Sequence, residues 1–190
     1  AGTVAALTVN EDAAATSLGL GSVTYGVGGG TDESAQTLTY TVTGIPAASL
    51  GNITLADGTT VVTASTSYTL AEIQGMKFVA AANANGSGTF SYSVVDSGGT
   101  ANGGVNTTTE SIAITVNAVN DAPVRTAGTV AALTVNEDAA ATSLGLGSVT
   151  YSTGPANESA QTLTYTVTGI PAASLGNITL ADGTTVVTAS

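Results

Sequence analysis

The sequence predicts an all-β protein, a Greek-key β-sandwich that occurs in tandem. Apolar residues alternate with Thr or Ser over Leu38 to Thr43 and again over Phe90 to Val94, and a period of two is that of a half-buried strand. About seven or eight such short strands within roughly 120 residues, with turn residues between them, are typical of a Greek-key sandwich. The tandem arrangement follows from a third observation, that much of the first part of the chain recurs later.

The expected strands are rich in β-branched side chains, which fit a pleated, half-buried surface. In chain order they are Val4 to Val9, Val23 to Tyr25, Leu38 to Thr43, Ile53 to Leu55, Thr60 to Thr63, Met76 to Val79, Phe90 to Val94 and Ile112 to Val116. Asp57-Gly58 and Asn85-Gly86 have the composition of turns that need a positive φ, and Asp182, the copy of Asp57, is expected to form a turn as well. Thr69 to Gln74 has the pattern of a single helical turn, in which Glu72 is expected to be simply exposed.

The chain carries one and a half copies of a repeat. Ala1 to Tyr25 recurs letter for letter as Ala127 to Tyr151, and Glu33 to Ser65 recurs as Glu158 to Ser190. The period of about 125 residues is long enough for a complete copy to bury its own core. We therefore predict a complete module at residues 1–122, a linker at 123–126 and the N-terminal half of a second, near-identical module at 127–190. Such copies suit a spacer, which gains reach from each of them, better than an enzyme.

The composition excludes several classes of function. The chain has 2 Lys and Arg residues against 13 Asp and Glu residues, a net charge of −11, and no Cys or His. Nucleic acid and anionic membranes are not expected partners, because both bind basic surfaces, and no apolar run is long enough for membrane insertion. Without His and Cys we expect no serine triad, no thiolate chemistry and no enzyme. The remaining carboxylate, amide and carbonyl oxygens are the ligands of a hard cation such as calcium.

Acidic and amide side chains in loops and at strand ends are the candidate calcium ligands. They are Glu11, Asp12, Asp32, Glu33, Asp96, Asn120 and Asp121 in the first copy and the linker, and Glu137, Asp138, Asn157 and Glu158 in the second copy. Several carboxylates gathered at one end of a sandwich repel one another unless a cation lies among them. The alternative is that Glu11 and Asp12 are solvated residues at a strand end and that Asp96 forms only an Asx turn.

The end of the complete copy resembles a known linker. Val119 to Val124 reads Val-Asn-Asp-Ala-Pro-Val. This stretch resembles the Asp-x-Asn-Asp-Asn-Ala-Pro linker of cadherin repeats, and still more the Val-Asn-Asp-Ala-Pro-Val junctions of the cadherin-like extender repeats in giant bacterial adhesins of the repeats-in-toxin class. Val9 to Asp12 is similar to the Val-x-Glu that follows the first strand of such repeats, and Asp96-Ser97-Gly98 is similar to their Asp-x-Gly.

The resemblance implies an immunoglobulin/cadherin-like sandwich, calcium as cofactor, and a location outside the cell on a bacterial surface. The partners it implies are neighbouring identical modules of the same chain. It further implies that one module, the linker and the next module bind calcium jointly, here through Glu11 and Asp12, Asn120 and Asp121, and Glu158 with the Asn157 amide oxygen.

The chain departs from the cadherin pattern at two linker positions, Asn117 and Val119, where cadherins have Asp and Asn, and it has no Leu-Asp-Arg-Glu motif. One or two ions per junction are therefore expected rather than three. Two other functions stay open: a sugar- or protein-binding β-sandwich that is duplicated, which would need an exposed aromatic cluster, and an accessory module of a secreted polysaccharide enzyme.

The half copy raises a question of its own, because it lacks counterparts of Met76 to Val79, Phe90 to Val94 and Ile112 to Val116. Its apolar faces and strand edges then have no partner within the repeat. We expect either a folding unit that is offset from the sequence repeat or strand exchange with another chain.

Overall fold

The computed structural model describes residues 2–28 and 30–190, so Ala1 and Gly29 lie outside the described part of the chain. The chain divides into two compact units, Ala1–Val119 and Asn120–Ser190. The fold is mostly β, which confirms the all-β prediction. In the described residues, no helix has the length and apolar character needed to cross a membrane.

The first unit is built from eight strands and one α-helix in its described residues. These are β1 (Leu7–Asn10), β2 (Thr16–Ser17), β3 (Leu38–Gly44), β4 (Gly51–Thr54), β5 (Thr66–Tyr68), α1 (Leu70–Gly75), β6 (Lys77–Ala80), β7 (Gly86–Asp96) and β8 (Thr107–Asn117). A single 3-10 turn at Ala101–Gly103 lies between β7 and β8. Burial alternates along β8, where Ile112, Ile114 and Val116 are buried and their neighbours exposed, which is the period of two that the sequence shows.

The strands of the first unit form two sheets, and each sheet combines strands from the first half of the copy, β1 to β4, with strands from its second half, β5 to β8. One sheet has the order β1-β8-β7-β3-β5 and the other the order β2-β6-β4. β1 runs parallel to β8, with Leu7 opposite Ile114, and the other pairs are antiparallel. Each of β1 to β4 pairs with strands from β5 to β8: β1 with β8, β2 and β4 with β6, and β3 with β5 and β7. The first half of the copy therefore depends on the second half for its sheet hydrogen bonds.

Buried side chains from both sheets form a single core. They are Val9, Leu18, Leu20, Val23, Tyr40, Val42, Leu50, Ile53, Val62, Ile73, Met76, Phe78, Phe90, Tyr92, Val94, Ile112, Ile114 and Val116. This core runs from Val9 to Val116, within the first unit, which ends at Val119. Strand exchange with another chain stays a prediction.

Helix α1 begins with a capping box. Thr69 is the N-cap, its Oγ1 accepts a hydrogen bond from Glu72 N–H at 3.2 Å, and Glu72 Oε2 accepts one from Thr69 N–H at 2.7 Å. These bonds satisfy N–H groups that the first turn of a helix leaves free. The hydrogen bonds that the Thr69 N–H and hydroxyl groups donate to the Glu72 carboxylate lower the pKa of Glu72. The expected helical turn is confirmed, but Glu72 has a capping role that the sequence analysis missed.

Two expected strands of the first copy are absent from its described residues. Val23 to Tyr25 has no strand partner, and Val23 N–H bonds to Leu20 O in a tight turn. Thr60 to Thr63 makes an isolated bridge between Val61 and Thr54. Conversely, β2 and β5 are short and rich in Thr and Ser, so their sequences carry little apolar alternation to reveal them.

The second unit has one pair of strands in its described residues, β9 (Val124–Ala127) and β10 (Thr150–Ser152). They are antiparallel, with Tyr151 opposite Arg125. Single 3-10 turns lie at Leu146–Ser148, Ala156–Glu158 and Ala173–Leu175. No strand forms at the copies of β1 to β4, which are residues 133–136, 142–143, 163–169 and 176–179. In the first unit, the strands that pair with β1 to β4 all come from residues 66–117.

Candidate functional site

Glu11 lies at the end of β1 in the first unit, and its side chain is 4% exposed. The parallel pairing of β1 with β8 brings it beside the chain that leaves β8. Glu11 N–H donates to Asn117 O at 2.9 Å, and Glu11 Oε1 accepts from Val119 N–H at 2.7 Å. A hydrogen bond to an ionised acceptor is short and strong, so Glu11 anchors the backbone where the first unit ends.

Glu158 anchors the backbone in the same way within the second unit. It ends the 3-10 turn Ala156–Glu158, is 4% exposed, and its Oε1 accepts from Asp121 N–H at 2.7 Å. Its own backbone is held as well, since Glu158 O accepts from Thr153 Oγ1 at 3.0 Å and from Gln161 N–H at 2.9 Å. The carboxylate therefore joins the linker residue Asp121 to a loop of the second copy.

The other carboxylate oxygen of Glu158 is buried and has no hydrogen-bond partner, and Asp121 Oδ2 is also buried. Gly154 makes the space for this arrangement. A β-carbon there would overlap Glu158 Oε2 and lie 3.4 Å from Asp121 Cβ, and the φ of Gly154, 142°, also favours glycine. An oxygen of this kind that is buried without a donor is unfavourable in its ionised form.

Glu33, the copy of Glu158, is half-buried in the first unit. Gly28 lies against it as Gly154 lies against Glu158, since a β-carbon at Gly28 would overlap Glu33 Oε2. Glu158 differs from Glu33 in that it also binds the linker residue Asp121.

Glu33 and Asp96 are brought together on the first unit, where both line one cleft of about 190 Å³. Asp96 Oδ1 accepts from Gly98 N–H at 2.8 Å, which is the Asx turn that the sequence analysis held open as the alternative for Asp96. Asp32 is exposed, and a β-carbon at Gly30 would overlap Asp32 Oδ1.

The remaining predicted ligands are exposed. Asp12 has a positive φ of 59°, and its Oδ1 accepts from Asn83 N–H at 3.1 Å. Its copy Asp138 keeps the positive φ, 60°, and lies with Glu137 on an exposed stretch of the second unit.

Asn120 and Asn157 supply amide oxygens near Asp121 and Glu158 in the chain. Both are exposed. Asn120 Nδ2 donates to Asp121 O at 2.8 Å, and Asn157 lies in the 3-10 turn that Glu158 ends.

The acidic side chains do not form a cage. Within residues 2–28 and 30–190, no three Asp, Glu, His or Cys side chains are grouped so that they could hold a metal ion. Beside Gly154 in the second unit, the carboxylates are those of Asp121 and Glu158. A calcium ion bound by these two residues would need further amide, carbonyl and water oxygens to reach its usual six to eight ligands.

Three features of these sites were missed from sequence: the anchored N–H groups of Val119 and Asp121, and the space provided by Gly154. The N–H groups have no sequence signal, since every residue except Pro has one. Gly154 had a weak signal, a Gly four residues before a candidate carboxylate.

Comparisons of this chain with protein-family models, with curated proteins and with solved structures found no match.

Proposed function

We propose that this chain is part of a calcium-stabilised extender, a structural element that projects the binding end of a long bacterial surface adhesin away from the cell. It acts through length and stiffness and catalyses no reaction. The near-identical copies support this proposal, because a spacer gains reach from each module added in series.

The observation that carries the proposal is a pair of anchored N–H groups on either side of Asn120. Val119 N–H is bound by Glu11 within the first unit, and Asp121 N–H is bound by Glu158 within the second unit. A single residue, Asn120, lies between them in the chain, and each residue has only two soft backbone dihedrals. Pro123 restricts φ a little further on. Few free dihedrals remain at this point of the chain, which is what a stiff spacer requires.

The proposed fold of each complete module is a Greek-key, immunoglobulin/cadherin-like sandwich. In support, two sheets share one core in the first unit, and its N-terminal strand β1 runs parallel to its C-terminal strand β8. The linker Val119 to Val124, which resembles cadherin-like junctions, follows β8 directly.

Calcium is the proposed cofactor. Glu158 and Asp121 would hold it through their carboxylates, with the Asn120 and Asn157 amide oxygens as further candidate ligands. The ion would supply positive charge to the buried Glu158 Oε2 in a chain that has only two cationic side chains. At a free calcium concentration 100-fold above the dissociation constant, binding stabilises the bound form by about 2.7 kcal/mol.

The distribution of tyrosines argues against the sugar-binding alternative. Tyr25, Tyr40 and Tyr92 pack together in the first unit, with ring centroids 5.9 Å and 6.3 Å from Tyr25 and the two hydroxyls of Tyr25 and Tyr92 2.6 Å apart. Tyr165 is exposed in the second unit, but it is the copy of the buried Tyr40. A complete module would therefore not display it as a sugar platform.

Calcium binding is tested by calorimetric titration of the full chain, together with hydrogen exchange at Asp121 N–H. We expect heat of calcium binding and slower exchange of that amide, and little effect of magnesium, which demands a stricter octahedral geometry. Small-angle scattering should show a larger maximum dimension of the chain with calcium than with a chelator.

Matched variants separate the proposed ligand from general charge effects. Glu158→Gln should abolish the slower exchange, whereas Asp182→Asn, which removes the same charge from an exposed turn of the second unit, should leave it unchanged. If the wild-type chain shows no heat of calcium binding, and Asp121 N–H exchanges at the same rate with and without calcium, the calcium proposal is wrong.

A further inference from the structure

The loop between β7 and β8 carries an Asn-Gly pair, Asn102-Gly103, within a glycine-rich stretch that also includes Gly99 and Gly104. Residues 101–105 are all exposed, and a β-carbon at Gly103 would meet no atom within 4 Å beyond its chain neighbours. Glycine has access to more backbone conformations than any other residue. The backbone of this loop can therefore change its dihedral angles without displacing a packed neighbour.

Asn102 has a backbone conformation that it can leave easily. It lies in the 3-10 turn Ala101–Gly103, but its φ of 55° and ψ of 29° fall in the left-handed region, which most residues with a β-carbon avoid. The turn is held by the hydrogen bond from Gly104 N–H to Ala101 O at 3.0 Å. In an exposed turn, water competes for both groups, so this bond contributes little net stability. The Asn102 carboxamide and the Gly103 nitrogen can therefore approach each other.

The backbone nitrogen that follows an asparagine can close a ring on the asparagine side chain. When the Gly103 nitrogen loses its proton and attacks Asn102 Cγ, a C–N bond forms, and the carboxamide nitrogen takes up that proton and leaves as ammonia. Water then opens the cyclic imide at either carbonyl, which gives an aspartate or its β-linked isomer. A side chain on the following residue hinders the attack, and Gly103 has none.

We propose that Asn102 is a site of spontaneous deamidation, a covalent modification that the chain carries out on itself with water as the co-reactant. The product replaces a neutral carboxamide by a carboxylate, in a chain whose net charge is already −11. Residues that follow in the same loop, Val105 to Thr107, line the cleft that Glu33 and Asp96 share, so the new charge enters the loop that borders this acidic cleft. The inference depends neither on calcium nor on adhesion.

A second Asn-Gly pair, Asn85-Gly86, is held differently by the structure. Gly86 is the first residue of β7 and lies opposite Val116 of β8. The Gly86 nitrogen therefore cannot turn towards the Asn85 carboxamide unless this end of the sheet opens first, and opening of paired strands costs free energy. We expect Asn85 to react more slowly than Asn102, although the two dipeptides are the same.

The test follows the reaction in the folded chain. The full 190-residue chain is kept in mildly alkaline buffer, which favours loss of the amide proton, and samples are digested in acid and analysed by peptide mass spectrometry. Aspartate and its isomer should form at least about 10-fold faster at Asn102 than at Asn85, because an exposed loop opens at almost no free-energy cost and a paired strand does not. In urea, which removes the sheet, both pairs should react at similar rates.

Two matched variants identify the reacting residue. Asn102→Gln adds one methylene, so closure would need a larger and less favourable ring, and the loop peptide should no longer gain the product. Asn85→Gln makes the same change in the other pair and should leave the rate at Asn102 unchanged. Both side chains are exposed, and circular dichroism checks that both variants remain folded.

Several results would overturn the proposal. They are equal rates at the two asparagines of the folded chain, a faster reaction at Asn85, or a difference that persists in urea and so does not come from the fold. An unchanged rate of product formation in the loop peptide of Asn102→Gln would mean that another residue reacts instead, and would overturn it too. Aspartate formed without its β-linked isomer would indicate direct hydrolysis by water rather than attack by the Gly103 nitrogen, and would also overturn it.

Discussion

The two copies of the repeat have the same sequence over most of residues 127–190, yet they differ in burial. Leu50 is 7% exposed and its copy Leu175 is 81% exposed, and Tyr40 and Tyr165 are 8% and 72% exposed. Residues Leu38–Gly44 form β3, whereas residues 163–169 form no strand. The comparison teaches that neither burial nor strand formation belongs to these residues alone; both require the partner strands of the second half.

Turns behave in the opposite way and are alike in the two copies. Asp57 Oδ1 accepts from Thr59 N–H at 2.8 Å and Thr60 N–H at 2.9 Å, and Asp182 Oδ1 accepts from Thr184 N–H and Thr185 N–H at 2.9 Å each. Both aspartates form the turns expected of them. Such contacts join residues two or three apart, so they need no distant partner.

Among the described strands, β10 forms in the second copy and has no counterpart in the first. Thr150–Ser152 forms β10 because residues Val124–Ala127 precede that copy and pair with it. The corresponding stretch of the first copy, which includes Val23 to Tyr25, forms no strand.

The largest difference between the copies should appear when the same core leucine is truncated in each. Leu20→Ala should destabilise the first unit by about 2–5 kcal/mol, since Leu20 is fully buried. Leu146→Ala, the same change in an exposed copy, should stay within about 0.5 kcal/mol. Urea unfolding followed by circular dichroism measures both, and equal losses of stability would show that the second copy has a core of its own.

A smaller difference between the copies is expected when the loop carboxylate, Glu158 in the second copy and Glu33 in the first, is removed. Glu158→Ala removes the acceptor of Asp121 N–H and should speed exchange of that amide by about 10- to 100-fold, the equivalent of the roughly 1–3 kcal/mol that a hydrogen bond to a charged group contributes. Glu33→Ala is the matched control in the first copy, where it should leave exchange at Asp121 unchanged. Unaltered exchange in Glu158→Ala would mean that another group anchors Asp121.

The smallest difference is expected at the Asp-Gly turns, where the copies should agree. Hydrogen bonds from the Thr60 hydroxyl and the Thr59 and Thr60 N–H groups lower the pKa of Asp57 to about 2, and the matching groups lower the pKa of Asp182 to about 2. Both pKa values lie below the ordinary 3.8. Each turn is therefore stabilised above about pH 4 and loses this contribution as the pH falls towards 2.

Carboxyl titration by NMR measures the two pKa values in one experiment. Similar, lowered values would support turns that are local in origin. An ordinary pKa at Asp182 beside a lowered one at Asp57 would instead show that the turn depends on the packed core of the first unit.

Clear alternation in the sequence predicted β3, β7 and β8, and residue composition predicted the turn at Asp57 and the helical turn at α1. The short, polar strands β2 and β5 were missed. Strands were wrongly expected at Thr60 to Thr63 and at Val23 to Tyr25 of the first copy. For the candidate site, it selected Glu11 and Glu158 from their positions at a strand end and in a loop. It did not predict that both would be buried, or that each would bind a backbone N–H, because those contacts join residues 108 and 37 positions apart.

Sequence by itself determined the repeat, the acidic and His-free chemistry, the all-β character and the local turns, since each of these depends on residue identity or on neighbours a few positions away. Tertiary structure decided which copy forms two sheets around a core. It also decided which carboxylates are buried and where the linker is anchored. The physical reason is that a strand satisfies its N–H and C=O groups through another strand, and in the first unit the partners of β1 to β4 lie in residues 66–117, far from them in the chain.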